Sequence, residues 1–230
     1  MGWSRWMLKR NAKEVLSKCY WKAFIAALLI AVYPFSAWGG MNSHLRGIRL
    51  DMNNFPYHIP HNLPSLDAAR LSLLAGAAMA LVMGSILVGL FVIQPLGVGA
   101  RRFFLETTQE RYNLAEVGFG FFGGGYLNVV WTLILRDIYL VLWTLLFFFP
   151  GIIKLYSYSM TEYILAENPS MPASRAITIS RKMMRGNKWK AFVLDCSFIG
   201  WYILGTLALG VGTLFVNPYY QATRTQLYLV

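Results

Sequence analysis

The chain has 230 residues, of which 57% are hydrophobic and only 13% are charged. A soluble globular domain carries about 25% charged residues, so the shortage of charge excludes that class and predicts a protein built into a membrane. The net charge of +11 would suggest nucleic acid in a soluble protein, but here the basic residues stand in blocks beside apolar runs. That arrangement is typical of membrane flanks, and we expect no nucleic-acid partner.

The apolar runs predict an all-α, polytopic transmembrane helical bundle of about six spans, forming a single integral membrane domain over residues 1–230. Each crossing needs about 20 residues. The first run is expected to stay in the mature protein, because Ser36-Ala37-Trp38 lacks a small-x-small cleavage pattern. The predicted spans are 21–38, 68–98, 128–149, 152–167, 189–208 and 211–228.

Residues 1–20 precede the first span and predict a cytoplasmic amphipathic helix. Its basic side chains would be drawn to anionic headgroups of the inner leaflet. Its apolar positions, at helical spacing, are Leu8, Ala12, Val15, Leu16 and Cys19.

Residues 39–67 predict an extracellular loop, since they hold three prolines and no helical pattern. The loop contains His44, His58 and His61, which are not spaced like a ligand pair on a helix. We therefore predict no metal site, although a weak contact by His58 and His61 stays open.

The second span carries a stripe of small residues that predicts close helix packing: Ser72, Gly76, Ala80 and Gly84. The partner helix is either within the chain or in a second copy, as in a homo-oligomer. We favour the intramolecular partner.

The middle of the chain contains two glycine features. The cluster at 119–125 lacks the Gly-Lys-Ser/Thr ending of a phosphate loop, so it predicts an interfacial turn. Pro150-Gly151 separates the third and fourth spans and predicts either an outer turn or a kink. Lys154 follows on the outer side, where it either snorkels outward, which we favour, or faces an outer cavity and binds an anionic group.

Residues 170–187 predict a second cytoplasmic amphipathic helix, with Ala176, Ile179, Met183 and Met184 on its apolar side. Basic residues predicted to face the lipid headgroups are Arg181, Lys182, Arg185, Lys188 and Lys190. Lysine and arginine number fifteen in the segments 1–22, 101–116 and 168–190, against three in 39–70. By the positive-inside rule, both termini are predicted to be cytoplasmic.

The chain also suggests an internal parallel repeat. The sequence Trp-Lys-Ala-Phe occurs at 21–24 and again at 189–192, each time at the start of a span. Gln94-Pro95 and Arg101 are echoed at the same spacing by Asn217-Pro218 and Arg224. Spans one and two would then correspond to spans five and six. The alternative is that Trp-Lys serves only as an interfacial anchor.

Several motifs together resemble a known family. They are Pro150-Gly151-Ile152-Ile153-Lys154, Tyr158-Ser159-Met160, Ala166-Glu167-Asn168-Pro169, Ser180-Arg181-Lys182-Met183-Met184, Gly186-Asn187-Lys188-Trp189, Ser197-Phe198-Ile199-Gly200-Trp201 and Pro218-Tyr219. This set resembles the bacterial integral-membrane family catalogued as domain of unknown function 975. The resemblance implies a helical protein of the bacterial plasma membrane, and it implies no reaction, ligand or catalytic residue.

Four ionisable residues lie inside the predicted spans, where charge is costly: Arg136, Asp137, Glu162 and Asp195. At 1.5 Å per residue they are predicted to form one polar layer about 9 Å below the inner boundary. In one interpretation, which we favour, Arg136 pairs with Asp195 or Glu162, Asp137 reaches the headgroups, and the layer only locks the helices. In the other, the excess of acids makes a proton- or cation-coupled site that opens towards the cytoplasm.

Catalytic motifs of the HExxH or GxSxG kind are missing from the sequence, and Cys19 and Cys196 are its only cysteines. We therefore predict no enzyme and no cofactor. The first functional hypothesis is a permease-like or transport-associated protein built around the polar layer. The alternative is a non-transporting interaction protein, such as an immunity, envelope-stress or accessory subunit, that binds a peptide or a partner membrane protein.

Overall fold

The computed structural model describes residues 3–31, 68–122, 124–207 and 211–230, and every regular element in these residues is helical. The predicted all-α fold is thereby confirmed for the described residues. The predicted loop 39–67, with its three histidines, lies outside them. The α-helices are α1 Arg5–Ala31, α2 Ala68–Val88, α3 Gln94–Thr108, α4 Phe119–Phe122, α5 Tyr126–Leu146, α6 Phe148–Tyr158, α7 Thr161–Glu167, α8 Ala173–Met183, α9 Lys188–Leu207 and α10 Val211–Tyr228. A π-helical turn, Gly89–Ile93, precedes α3, and a 3-10 turn, Leu114–Gly118, precedes α4.

Three helical stretches of the described chain are long and apolar enough to cross a membrane: Met83–Thr108, Tyr126–Leu146 and Lys188–Leu207. At most 33% of the most apolar window in each stretch is buried inside the protein. Most of their apolar surface therefore faces outward, as contact with lipid requires. The fold is compatible with a membrane protein, while the count of six spans stays a prediction.

The chain divides into two compact units, residues 34–89 and the remainder. In the smaller unit the described element is α2, which carries the predicted stripe of small residues. Ser72, Gly76, Ala80 and Gly84 are all exposed. A Cβ atom on Gly76 or Gly84 would meet nothing within 4 Å among the described residues of this unit. The helix that was predicted to pack on this face is therefore not among the described residues of this unit.

In the larger unit, α1 lies along the C-terminal helix α10. Its backbone is kinked at Cys19, where φ is −145° and ψ is 30°. The kink falls next to the predicted boundary between a surface helix and a first span. Leu8, Ala12 and Leu16 are buried in the core, so the first half of α1 is held by helix packing and does not simply lie on a lipid surface.

Helix α5 and the pair α6–α7 form an antiparallel hairpin. At one end, Gly151 lies against Thr144, and a Cβ on Gly151 would be 2.7 Å from the Thr144 hydroxyl oxygen. At the other end, the Asn128 side-chain amide donates hydrogen bonds to the carbonyls of Pro169 and Met171, both at 2.7 Å. The predicted break at Pro150-Gly151 is therefore a turn, and it lies slightly earlier than predicted.

The turn itself is made by Phe147, whose backbone is extended at φ −156° and ψ 136°. Pro150 belongs to the first turn of α6. A proline is tolerated there because the N–H groups of a first turn have no intrahelical partner.

The predicted fourth span, 152–167, is not one helix. It is interrupted at Ser159-Met160, between α6 and α7. Ser180 of α8 bridges the interruption: its hydroxyl donates to the carbonyl of Ser157 at 2.9 Å and accepts the backbone N–H of Met160 at 3.2 Å. The helix break therefore keeps its backbone groups paired although it is buried.

We expect Ser180→Ala to lower the free energy of unfolding by about 1–3 kcal/mol, because two buried backbone groups lose their partner. Thermal unfolding of the purified protein in detergent measures the change. Ser170→Ala is the matched control, since Ser170 is exposed. Equal midpoints for the two variants would contradict a bridging role for Ser180.

The apolar side of α8 differs from the predicted one. Its buried residues are Ala173, Ala176, Ile177 and Ser180, with Met184 just beyond the helix. Ile179 is only half-buried and Met183 is exposed. The buried side turns towards Ser180 because this residue must reach the break between α6 and α7.

Two backbone contacts bring α3 unusually close to the segment 114–122. A Cβ on Gly99 would lie 1.9 Å from the carbonyl oxygen of Val117, and one on Gly120 would lie 2.0 Å from that of Pro95. Neither position has room for a side chain, because the opposing atoms belong to the backbone and cannot rotate away.

Candidate buried charge site

A buried carboxylate lies at the centre of the larger unit. Glu162, in the first turn of α7, is 8% exposed. The Arg101 guanidinium of α3 is 2.5 Å from its Oε2 atom, and the Arg136 guanidinium of α5 donates a hydrogen bond to its Oε1 atom. One carboxylate therefore joins two arginines from two further helices.

The same network continues to Asp137. Arg136 donates from Nε to the Asp137 Oδ1 atom at 2.8 Å, and the Gln94 side-chain amide donates to Oδ2 at 2.6 Å. Asp137 therefore does not reach towards headgroups, as predicted for the locking interpretation, but faces the start of α3. We call this network the Glu162 cluster, with the members Gln94, Arg101, Arg136, Asp137 and Glu162.

The cluster meets α5 at the middle of the helix. Arg136 is the central residue of the helix Tyr126–Leu146, which places it about 15 Å from either end at 1.5 Å per residue. The predicted depth of about 9 Å below the inner membrane boundary stays a prediction, because a helix end is not a membrane boundary.

Asp195 belongs to a second group of side chains. Its Oδ2 atom accepts a hydrogen bond from the Tyr156 hydroxyl at 2.9 Å, and its Oδ1 atom is 3.8 Å from Nη1 of Arg224. The Asp195 Oδ1 atom and the Arg224 Nη1 atom are both buried, and neither has a hydrogen-bond partner among the described residues. We call Tyr156, Asp195 and Arg224 the Asp195 cluster.

Tyr163 lies between the two clusters. The Arg101 guanidinium is 5.6 Å from the centre of its ring, and the charge of Arg224 also acts on its hydroxyl. The ring stacks on Tyr228 at a centroid distance of 5.1 Å. The predicted single layer is thus two neighbouring clusters with different geometry, one tightly hydrogen bonded and one loosely paired.

The charge balance of the predicted layer changes with this geometry. Sequence reasoning counted three acids and one base, but Arg101 and Arg224 join them, which makes three acids and three bases. The excess of negative charge on which the cation-coupled interpretation rested is therefore removed. Arg101 had been counted in a basic inner segment, and Arg224 had been noted only as its counterpart in the echo of Gln94-Pro95 and Asn217-Pro218.

The residues of the suggested repeat have matching surroundings. Ala23 and Ala191 are buried at 1% and 0% exposure, whereas Trp21 and Trp189 are exposed at 71% and 73%. Each tryptophan contacts the phenylalanine three residues later, with ring centroids 6.1 Å apart in the first copy and 5.2 Å in the second. The two segments therefore present the same face to the core.

Lys154 lies near one ring and near part of the basic segment, and its location on the outer side stays a prediction. Its ammonium is 4.2 Å from the centre of the Trp143 ring, and its charged neighbours are Arg181 and Lys188. Of the predicted lipid-facing residues, four are exposed and Lys188 is half-buried; the exposed ones are Arg181, Lys182, Arg185 and Lys190.

An exposed ion pair joins α1 to the turn after α3. The Lys18 ammonium is 2.6 Å from the Glu110 carboxylate, and this hydrogen bond lowers the pKa of Glu110 and raises the pKa of Lys18. Lys22 donates to the Tyr112 carbonyl at 2.9 Å beside it. These contacts hold the part of α1 on either side of the kink at Cys19. All of the charged side chains involved are exposed.

Comparison with known proteins confirms the predicted family resemblance. Residues 132–230 match the family described as a protein of unknown function (DUF975). The matched region contains Arg136, Asp137, Glu162, Asp195 and Arg224, while Arg101 and Gln94 precede it. No curated protein and no solved structure matches the chain.

Proposed function

With residues 132–230 assigned to the DUF975 family of unknown function, we propose that this protein is a permease-like or transport-associated membrane protein. It has no catalytic activity and uses no cofactor. The Glu162 cluster is the fixed part that holds α3, α5 and α7 together. The Asp195 cluster is the part that exchanges partners.

One observation carries this assignment. Asp195 and Arg224 face each other at 3.8 Å, and on each side the described part of the chain offers one buried atom no hydrogen-bond partner. Buried polar atoms without partners are costly, so a site of this kind gains free energy when a polar group enters it. An ionisable group within a membrane helix is also a functional site by default.

The surroundings of Arg224 support a polar ligand. The guanidinium is 5.9 Å from the centre of the Tyr220 ring, and the Tyr156 hydroxyl is bound to Asp195 on the other side. An anionic group that binds Arg224 would displace Asp195 and leave the Tyr156 hydroxyl as a donor. The Glu162 cluster offers no such exchange, since both oxygens of Glu162 are held by arginines.

The proposal places the protein in the bacterial plasma membrane with six spans and cytoplasmic termini. Helices α6 and α7 together serve as the fourth crossing, because they return along the whole of α5. The matching surroundings of Trp21 and Trp189 support a parallel internal repeat, in which α1 corresponds to α9 and α3 to the second half of α10. Arg101 and Arg224 are then equivalent positions that have taken different roles.

Water access tests the proposal. In a background with Cys19→Ser and Cys196→Ser, we would place single cysteines at Asp195 and at Thr161 and label them with a sulfonated, membrane-impermeant maleimide. Thr161 adjoins Glu162 and is fully buried, and its replacement by cysteine is nearly isosteric. We expect fast labelling at 195 and protection at 161, in protein that elutes as a single folded species.

Protection at both positions would reject an aqueous path to the Asp195 cluster. It would favour the alternative, a non-transporting protein that binds a peptide or a partner membrane protein. The exposed stripe of small residues on α2 supports that alternative, because such a stripe allows a second helix to approach closely. Co-purification of a stoichiometric partner would then be the next measurement.

A further inference from the structure

We propose that a cleft between the start of α1 and the start of α9 binds the phosphate-bearing headgroup of an anionic phospholipid. The cleft has a volume of about 300 Å³ and is lined by Trp3, Ser4, Arg5, Trp189, Lys190 and Val193. We call it the Trp3 cleft. This volume is at the lower end of the range for small-molecule sites. The proposal does not depend on the proposed function of the Asp195 cluster.

The charge around the Trp3 cleft selects an anion. Neither residues 3–13 nor residues 181–194, the two segments that contain its lining residues, contain an acidic side chain. Together they contain nine basic residues: Arg5, Lys9, Arg10, Lys13, Arg181, Lys182, Arg185, Lys188 and Lys190. Arg5 and Lys190 line the cleft itself and are exposed, so both can donate to a phosphate.

The walls of the cleft are held in place by aromatic contacts. The Lys190 ammonium is 5.6 Å from the centre of the Trp3 ring, which ties the two segments together across the cleft. Trp189 stacks on Phe192 at 5.2 Å, and Phe192 contacts Tyr156. A site with fixed walls loses little conformational entropy when a ligand binds.

The source of the phosphate is the lipid bilayer. Trp6 and Trp189 are 70% and 73% exposed, and indole side chains that remain exposed favour the interface between lipid and water. The cleft opens where α9 begins, and α9 is long and apolar enough to cross a membrane. Val193 provides an apolar surface one turn further along α9, where the glycerol end of a lipid would lie.

Native mass spectrometry of the detergent-solubilised protein tests the proposal, with phosphatidylglycerol and phosphatidylcholine as probes. We expect one phosphatidylglycerol molecule to bind more tightly than any further phosphatidylglycerol molecules. Phosphatidylcholine should show no such tightly bound molecule. The double variant Arg5→Gln/Lys190→Gln should lower the affinity for this molecule roughly 30-fold, the effect of removing two basic residues beside an anionic lipid. The control Lys182→Gln/Arg185→Gln removes the same charge from the end of α8 and the turn after it, outside the lining of the cleft, and should change binding less than about threefold.

Equal weakening by both double variants would overturn the proposal, since it would mean a diffuse charge effect. Displacement of the lipid by an equal concentration of glycerol 3-phosphate would overturn the lipid source and leave a soluble phosphate as the ligand. The substituted residues are exposed, and size-exclusion chromatography verifies that the variants fold. Labelling at position 195 is independent of this result, so the two proposals can fail separately.

Discussion

Replacement of Glu162 by glutamine is expected to lower the free energy of unfolding by about 3–5 kcal/mol, the loss that follows removal of one partner from a buried ion pair. The substitution preserves the size of the side chain and removes only its charge. It leaves Arg101 and Arg136 close together, with Asp137 as the remaining acid of the cluster. Much of the expected loss is the cost of a buried cation without a counter-ion.

Chemical or thermal unfolding in detergent measures this effect, and Glu110→Gln is the matched control. Glu110 also forms an ion pair with a basic residue, but its side chain is 70% exposed, so its loss should cost much less than the loss of Glu162. The double variant Arg101→Gln/Glu162→Gln leaves Arg136 paired with Asp137 and should be more stable than Glu162→Gln alone. Similar losses for Glu162→Gln and Glu110→Gln would refute the structural role of the Glu162 cluster.

The second large effect is expected at Gly99. Alanine would place its Cβ 1.9 Å from the carbonyl oxygen of Val117, so α3 and the 3-10 turn must move apart. We expect Gly99→Ala to lower the free energy of unfolding by about 3 kcal/mol, the upper part of the range for overpacking. Gly120→Ala should act in the same way, because its contact with Pro95 joins the same two segments.

Gly97→Ala is the control for this prediction. It lies on the same helix, but the nearest atom to a Cβ there would be Nη1 of Arg101 at 3.4 Å. A Cβ at 3.4 Å makes an ordinary van der Waals contact, and alanine favours a helix over glycine by about 1 kcal/mol, so Gly97→Ala should leave the midpoint unchanged or raise it. A destabilisation at Gly97 as large as that at Gly99 would show that helix propensity or the neighbouring charge, and not backbone contact, determines the effect.

The features that could be predicted from the sequence are those set by local composition. The all-α fold and its apolar helices follow from long hydrophobic runs, and the DUF975 resemblance follows from short motifs between 150 and 219. The Arg136–Glu162 pair was one of the two pairings considered for Arg136. The other partner considered for Arg136 was Asp195, which lies in the other cluster. The hairpin of α5 and α6–α7 brings residue 162, and not residue 195, beside residue 136.

The buried pairing of Arg101 was missed for a physical reason. A basic residue that follows an apolar run normally marks the membrane boundary. Here α3 continues to Thr108, so Arg101 lies within the helix, and its charge is balanced by Glu162 from a distant part of the chain. Helix length and long-range pairing are not visible in the local pattern.

The break at Ser159-Met160 was missed for a related reason. Nothing in residues 156–163 is a strong helix breaker, and the turn is stabilised by Ser180, which comes from another helix. Conversely, Pro150-Gly151 looked like the break but belongs to a first helical turn. Local breakers predict where a helix can end, whereas tertiary hydrogen bonds decide where this one does.

The antiparallel hairpin of α5 and α6–α7 has a consequence for biogenesis. During membrane insertion α5 emerges first, and Arg136 at its centre would cost about 2.5–3.5 kcal/mol if the helix partitioned alone. Glu162 follows in the returning arm and neutralises that charge. We therefore expect the translocon to release the two arms together, and a nascent chain that ends before residue 162 to insert poorly.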